Sequence, residues 1–166
     1  VTCESTYKAC EECRYCKSKD YNLCGTRIGI GTNKDGAFEE YMTMAESRVW
    51  KLPDSISLKA GAISEPLACG THAVLEVADV QPGDTVCVFG AGAIGLMVAL
   101  VAVTAGATVI LAGLTIDEER FAVAKEMGVQ YTVDQQKEDL AALVRSITDG
   151  GVDHAFECSG AIPALH

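Results

Sequence analysis

The sequence predicts an α/β protein: a small β-rich lobe carrying a metal-binding loop, then a parallel sheet flanked by helices. Three observations carry that expectation. Four cysteines, Cys10, Cys13, Cys16 and Cys24, crowd into fifteen residues near the start. From residue 85 onward, short apolar runs alternate with segments of helical period, the pattern of βαβ crossovers and a parallel sheet. The first of those runs, 85–89, breaks into Gly90-x-Gly92-x-x-Gly95 and passes at once into an apolar helical segment, 93–104.

Residues 1–9 read as a strand entering a loop, with Cys3 as a core thiol. The loop is Cys10-x-x-Cys13-x-x-Cys16-x7-Cys24. Short Cys-x-x-Cys steps let one backbone turn present two thiolates to one ion, and zinc takes four donors in a tetrahedron. The intervening residues are mostly polar, so the loop has no core of its own and the metal takes that role. Four thiolates close the shell and leave no open position, so this zinc is expected to be structural.

Turn signals at Gly29, Gly31 and Gly36 precede two β-like runs, 37–43 and 47–52, the second closed by Pro53-Asp54. Phe38, Tyr41, Val49, Trp50 and Leu52 are expected in the core of the small lobe. Residues 57–62 suit a short helical turn. Pro66 suits the first turn of a helix capped by Ser64 or Glu65, with Ala68, Val74, Leu75 and Ala78 as its packing side. On the residues alone, Glu65 is an N-terminal charge facing the helix dipole. Cys69 and His72 lie three apart, hence on one helical face, and His72 is assigned to packing. Gln81-Pro82-Gly83-Asp84 forms a turn into the central strand.

A strand–glycine turn–helix context gives the Gly-x-Gly-x-x-Gly match its meaning. Gly90 makes the tight turn, Gly92 lets the backbone approach a pyrophosphate, and Gly95 lets the helix pack close to the strand. The phosphates would then sit at the helix start, against the N–H groups from Ala93, Ile94 and Gly95. Strands at 108–113, 129–133 and 152–158 follow, separated by helices at 117–127 and 137–148, with Gly128 ending the first of these. Domain limits of 1–62 and 63–166 follow from this division.

A strict NAD site places an acidic residue at the end of the second strand to bond the ribose hydroxyls. Here Gly113-Leu114-Thr115 stands there, with Asp117 farther on. Thr115 and Glu118 fit a capping box, and Arg120 is the available partner for a 2′-phosphate. The expected cofactor is NAD or NADP, leaning to tolerance of NADP.

Net charge is −10, from 13 basic and 23 acidic residues, which argues against a nucleic-acid or anionic-membrane partner. The longest apolar run, 91–107, is interrupted by glycines and too short for a membrane span. With clustered cysteines and no secretory segment at its start, the chain reads as cytoplasmic, its thiols reduced and metal-binding.

Several motifs occur together and in order: the four-cysteine loop, Gly36-Ala37-Phe38-x-Glu40-Tyr41, Lys51-Leu52-Pro53-Asp54, Glu65-Pro66-Leu67-Ala68-Cys69, Gly90-x-Gly92-x-x-Gly95-Leu96 and Phe156-Glu157-Cys158-Ser159-Gly160. In this the chain resembles the medium-chain zinc-dependent alcohol dehydrogenases, most of all their polyol (sorbitol-like) and threonine dehydrogenase branch. The resemblance implies part of a GroES-like catalytic domain with a structural zinc loop, joined to part of a Rossmann domain. It implies hydride transfer between a secondary alcohol or polyol and NAD(P), in a homo-oligomer, dimer or tetramer. Glu65 matches the glutamate that faces the catalytic zinc in the polyol branch, and Cys69 aligns with a cysteine ligand of the microbial alcohol dehydrogenase branch. The family's remaining catalytic ligands lie upstream of the four-cysteine loop, so the chain is expected to be a fragment, inactive by itself. The alternative is a non-catalytic zinc- and nucleotide-binding module in a regulatory or scaffold role.

Overall fold

The structure, a computed structural model, describes residues 1–161. It divides into two compact units, Val1–Ser64 and Glu65–His166.

The first unit is built of short pieces. Strand β1 (Thr2–Cys3) pairs antiparallel with β4 (Val49–Trp50), and β2 (Thr6–Lys8) with β3 (Ile28–Gly29). Between β2 and β3 lies the cysteine loop, with a single helical turn, α1 (Arg14–Lys17). Arg48 is buried, its guanidinium 2.7 Å from the Glu4 carboxylate and stacked 4.3 Å over the Tyr21 ring. One side chain thereby ties the β1–β4 pair to the cysteine loop. The turn α2 (Leu58–Gly61) is capped by Ser57, whose hydroxyl accepts from the Ala60 N–H at 3.1 Å.

Two expectations fail in this unit. Residues 37–43 form no strand, and Phe38 and Tyr41 are exposed, as is half of Trp50. A run of β-favouring residues becomes a strand only when another strand supplies its ladder, and none among the described residues pairs with this one. The second run is shorter than its pattern suggests: a 3₁₀ turn over Glu46–Arg48 replaces its start.

The second unit is a four-stranded parallel sheet in the order β7-β6-β5-β8, from β5 (Thr85–Phe89), β6 (Thr108–Gly113), β7 (Tyr131–Asp134) and β8 (His154–Glu157). From β5 the chain steps outward twice, then returns to the other side of β5. Right-handed crossovers put the first two connecting helices on one face and the third on the other. Accordingly α4 (Ala93–Thr104) and α5 (Glu118–Glu126) cover the face of Val86, Val88, Val109 and Leu111. Helix α6 (Leu140–Ile147) covers the face of Cys87, Ile110 and Val133. Burial on both faces explains why the inner strands β5 and β6 read as unbroken apolar runs.

Preceding the sheet, α3 (Ser64–Thr71) continues into a π-helical stretch, His72–Val77. Ser64 is therefore inside the helix rather than its cap, and its hydroxyl donates to the Gly61 carbonyl at 2.7 Å. The buried side carries Gly70 and Val74; Ala68 and Leu75 are exposed, against expectation. Gly70 sets this face, because a Cβ there would lie 3.0 Å from the Met97 backbone of α4. The face turned to the core runs through Leu67, Gly70, Val74 and Ala78, one position round the helix from Ala68 and Leu75. His72 is exposed too, bonded to Glu76 one turn on at 2.8 Å. The turn before β5 has the expected form, with Gly83 at φ +97° and the Asp84 N–H donating to Gln81 O.

Candidate cofactor and metal sites

The four loop cysteines converge. Their sulfurs all lie within 4.8 Å of one another, and among the described residues this is the only group of three or more candidate metal ligands. Cys10 Sγ is 3.8 Å and Cys13 Sγ 3.6 Å from Cys16 Sγ. A tetrahedron with Zn–S bonds of about 2.3 Å has edges of about 3.8 Å, so the spacing fits zinc. Glu11 takes a left-handed conformation, φ 64°, which curls the backbone so that the Cys13 N–H points at Cys10 Sγ, 3.3 Å away. The thiols are uneven. Backbone N–H groups, that of Glu12 first, hold Cys10 below its usual range. Cys24 is pulled to about 6, first by a backbone bond at Cys10 and then by the Thr26 hydroxyl. Burial pushes Cys16 up to about 12.

The glycine turn lies where the strand order reverses, between the carboxyl ends of β5 and β8. In open α/β sheets that is where the crevice for a ligand forms. Gly90, at φ +99°, would place a Cβ 2.8 Å from the Ser159 backbone beyond β8. A Cβ on Gly95 would fall within 3.1 Å of the Gly90 carbonyl carbon and closer still to its oxygen. Gly92 differs: a Cβ there meets nothing within 4 Å. It is the N-cap of α4 with no side-chain cap, and the first two residues of that 12-residue helix, Ala93 and Ile94, are exposed. Two glycines thus close the turn, and the third leaves its outer side open.

At the ends of β6 and β7 the Thr115–Glu118 capping box does not form. Asp117 takes that place, its Oδ2 accepting the Leu114 N–H at 3.0 Å and its Oδ1 accepting Arg120 at 2.6 Å. Asp117 is one residue nearer the strand end, and Gly113 leaves room for it: a Cβ there would lie 2.9 Å from Oδ2. Thr115 turns instead to Asp134, donating its hydroxyl at 2.6 Å, while its N–H meets Gln136 Oε1 at 3.1 Å. Lys137 Nζ is 2.9 Å from the same Asp134 oxygen. Asp134, Gln136 and Lys137 sit on the next strand end, where only the parallel register, pairing Gly113 with Asp134, reveals them.

Glu65 and Cys69 are both exposed and one turn apart on α3, hence on one face.

Two family descriptions match in chain order: the alcohol dehydrogenase GroES-like domain over residues 1–54 and the zinc-binding dehydrogenase domain over residues 93–166. The chain belongs to the zinc-dependent alcohol dehydrogenase family. It is 46% identical to the D-arabitol-phosphate dehydrogenase of Enterococcus avium, over all of this chain and 47% of that protein. It is 45% identical to the sorbitol dehydrogenase of Halalkalibacterium halodurans, over 99% of this chain and 48% of that one. The chain thus spans about half the length of the curated relatives it matches. Among solved structures, an Escherichia coli oxidoreductase of unknown specificity superposes with a TM-score of 0.90 at 34% identity, covering 98% of this chain and 47% of that one. A zinc-binding dehydrogenase from Sinorhizobium meliloti, bound to NADP, superposes at 0.86 and 32% identity, covering 99% and 48%. Among the described residues no helix is long and apolar enough to cross a membrane.

Proposed function

We propose that the chain is the structural-zinc and dinucleotide-binding portion of an oxidoreductase that moves hydride between a secondary alcohol or polyol and NAD(P). The observation that carries this is the open Gly92 shoulder at the reversal of strand order, closed behind by Gly90 and Gly95. The Ala93, Ile94 and Gly95 N–H groups hold the pyrophosphate at the start of α4, where the helix dipole favours negative charge. Thr115 and Arg120 stand toward the adenosine ribose. Cys10, Cys13, Cys16 and Cys24 hold one zinc, whose closed four-sulfur shell fixes the loop and leaves no place for substrate.

When bound, the nicotinamide supplies the hydride acceptor, and a second zinc supplies Lewis-acid polarisation of the alcohol. From this chain, Glu65, exposed on α3, is the residue we assign toward that metal, with Cys69 on the same face as the alternative donor. Relatives named for sorbitol and arabitol phosphate support a small polyol or its phosphate as substrate. A cytoplasmic homo-oligomer, dimer or tetramer, with no nucleic-acid or membrane partner, completes the reading, in keeping with the acidic charge and thiol-rich loop.

Metal analysis combined with dinucleotide titration tests the proposal. About one zinc per 166-residue chain is expected, together with binding of NADH or NADPH and no alcohol oxidation by this chain alone. The whole protein should oxidise a polyol. A chain that stays folded and metal-free after chelation, or that binds neither dinucleotide, would contradict it. Zinc and dinucleotide binding without turnover in the whole protein would instead favour a regulatory module.

A further inference from the structure

We propose that Lys137 forms, with Arg120, a subsite for the 2′-phosphate of NADP beside Thr115, and that Lys137 sets the preference between NADP and NAD. The inference rests on the dinucleotide reading above and adds to it a residue from a different strand end.

Consider which groups remain to meet the ribose. Two carboxylates lie near Thr115, those of Asp117 and Asp134, both nearly buried. Neither is a free acceptor. Asp117 is taken up by the Leu114 N–H and by Arg120. Asp134 accepts the Thr115 hydroxyl and the Lys137 ammonium on one oxygen, and the Gln136 N–H at 3.0 Å on the other. NAD selection of the usual kind needs an acidic side chain with acceptors turned to the ribose hydroxyls. Here both acidic side chains are turned inward and their charges are offset by cations. The main repulsion against a 2′-phosphate at this position is thereby removed.

The cations, by contrast, keep capacity. The Lys137 side chain is 64% exposed and that of Arg120 56%. An ammonium has three donors and a guanidinium five, and one of each is spent on its aspartate in these contacts. Lys137 Nζ at 2.9 Å and Thr115 Oγ1 at 2.6 Å share a single Asp134 oxygen, so they lie no more than 5.5 Å apart. A phosphate on the ribose hydroxyl next to Thr115 is therefore within reach of the ammonium. The hydrogen bond to Asp134, with Glu118 and Glu138 nearby, holds the Lys137 amine above its usual range and hence charged. Those same acids weaken the net attraction, so a modest effect follows rather than a strict switch.

The purified protein should be titrated with NADPH and with NADH, following nicotinamide fluorescence, for wild type, Lys137→Gln and Lys137→Arg. Loss of one charge-assisted bond to phosphate predicts a roughly tenfold weaker NADPH complex in Lys137→Gln. NADH affinity should change by less than about twofold, as befits an exposed charge. Lys137→Arg should retain NADPH binding. Equal weakening of both dinucleotides in Lys137→Gln would make Lys137 merely structural and overturn the inference. So would unchanged NADPH affinity. Wild-type protein that binds neither dinucleotide would overturn the dinucleotide reading as well, whereas normal NADH binding with an indifferent Lys137→Gln overturns this inference alone.

Discussion

Replacing Gly95 by alanine separates the close-packing role of this glycine from ordinary helix propensity. In an exposed helix interior that change stabilises by about 1 kcal/mol. At this position the added Cβ would overlap the Gly90 carbonyl oxygen and lie 3.1 Å from its carbon, so one of the two backbones must shift. Neither side yields easily. Gly90 has its N–H bonded to the Ala112 carbonyl at 2.8 Å and lies against the Ser159 backbone. Helix α4 is pinned by Gly70 against Met97 and by the buried Met97, Val98, Ala99, Val101 and Ala102. Overpacking of a rigid site costs about 3 kcal/mol at the upper end of the usual range; less the propensity gain, a net loss of about 2 kcal/mol is expected. Urea unfolding followed by helical circular dichroism reports chiefly the second unit, which holds α4, α5 and α6. Gly95→Ala should lower the midpoint with an unchanged slope. A midpoint equal to or above wild type would refute the reasoning.

Three other perturbations follow from the structure. Chelation of zinc, or Cys16→Ser, should unfold the cysteine loop and shift the emission of Trp50, the single tryptophan; unchanged emission and retained metal would contradict the four-cysteine site. Arg48→Met removes the buried partner of Glu4 and the cation over Tyr21. Because Glu4 is one-third exposed, a loss of about 1–3 kcal/mol is expected in chemical denaturation, at or below the range for fully buried pairs. Asp134→Asn tests the network at the ends of β6 and β7 through pH. The Thr115 hydroxyl first, then Lys137 and the Gln136 N–H, holds the Asp134 carboxyl below its usual value. A lowered folded-state pKa contributes stability that is complete above the unfolded value, about 3.9, and is lost as pH falls through the folded one. The wild-type advantage over Asp134→Asn in thermal unfolding should therefore be full at neutral pH and fade in acid; a difference that grows on acidification would refute the assignment.

How far the sequence was readable depended on whether the deciding contacts were local. The strand–turn–helix at 85–104 was legible because its strand is buried on both faces and its glycines sit at fixed offsets. The cysteine cluster was legible because Cys10, Cys13 and Cys16 lie on one stretch of loop and Cys24 returns eight residues later. Residues 37–43 misled because a strand needs a ladder partner that its own pattern cannot reveal. Ala68 and Leu75 misled because the close approach of Gly70 to α4 sets the buried face one position round the helix from them. The network around Thr115 escaped for a third reason: Asp134, Gln136 and Lys137 reach it through the register of two parallel strands. A sequence reading finds such a group only by asking which residues end neighbouring strands.

The central claim, that the turn at Gly90–Gly95 is a dinucleotide seat, is tested most directly at Gly92. Its backbone is extended, with φ −72° and ψ −178°, and a side chain there meets no atom within 4 Å. Gly92→Val should therefore fold with wild-type circular dichroism and lose no more than about 1 kcal/mol through poorer capping. It would also fill the space through which a pyrophosphate approaches. Calorimetric titration with NADH or NADPH should show binding to wild type and none to the folded Gly92→Val protein. Equal binding to both would contradict the account.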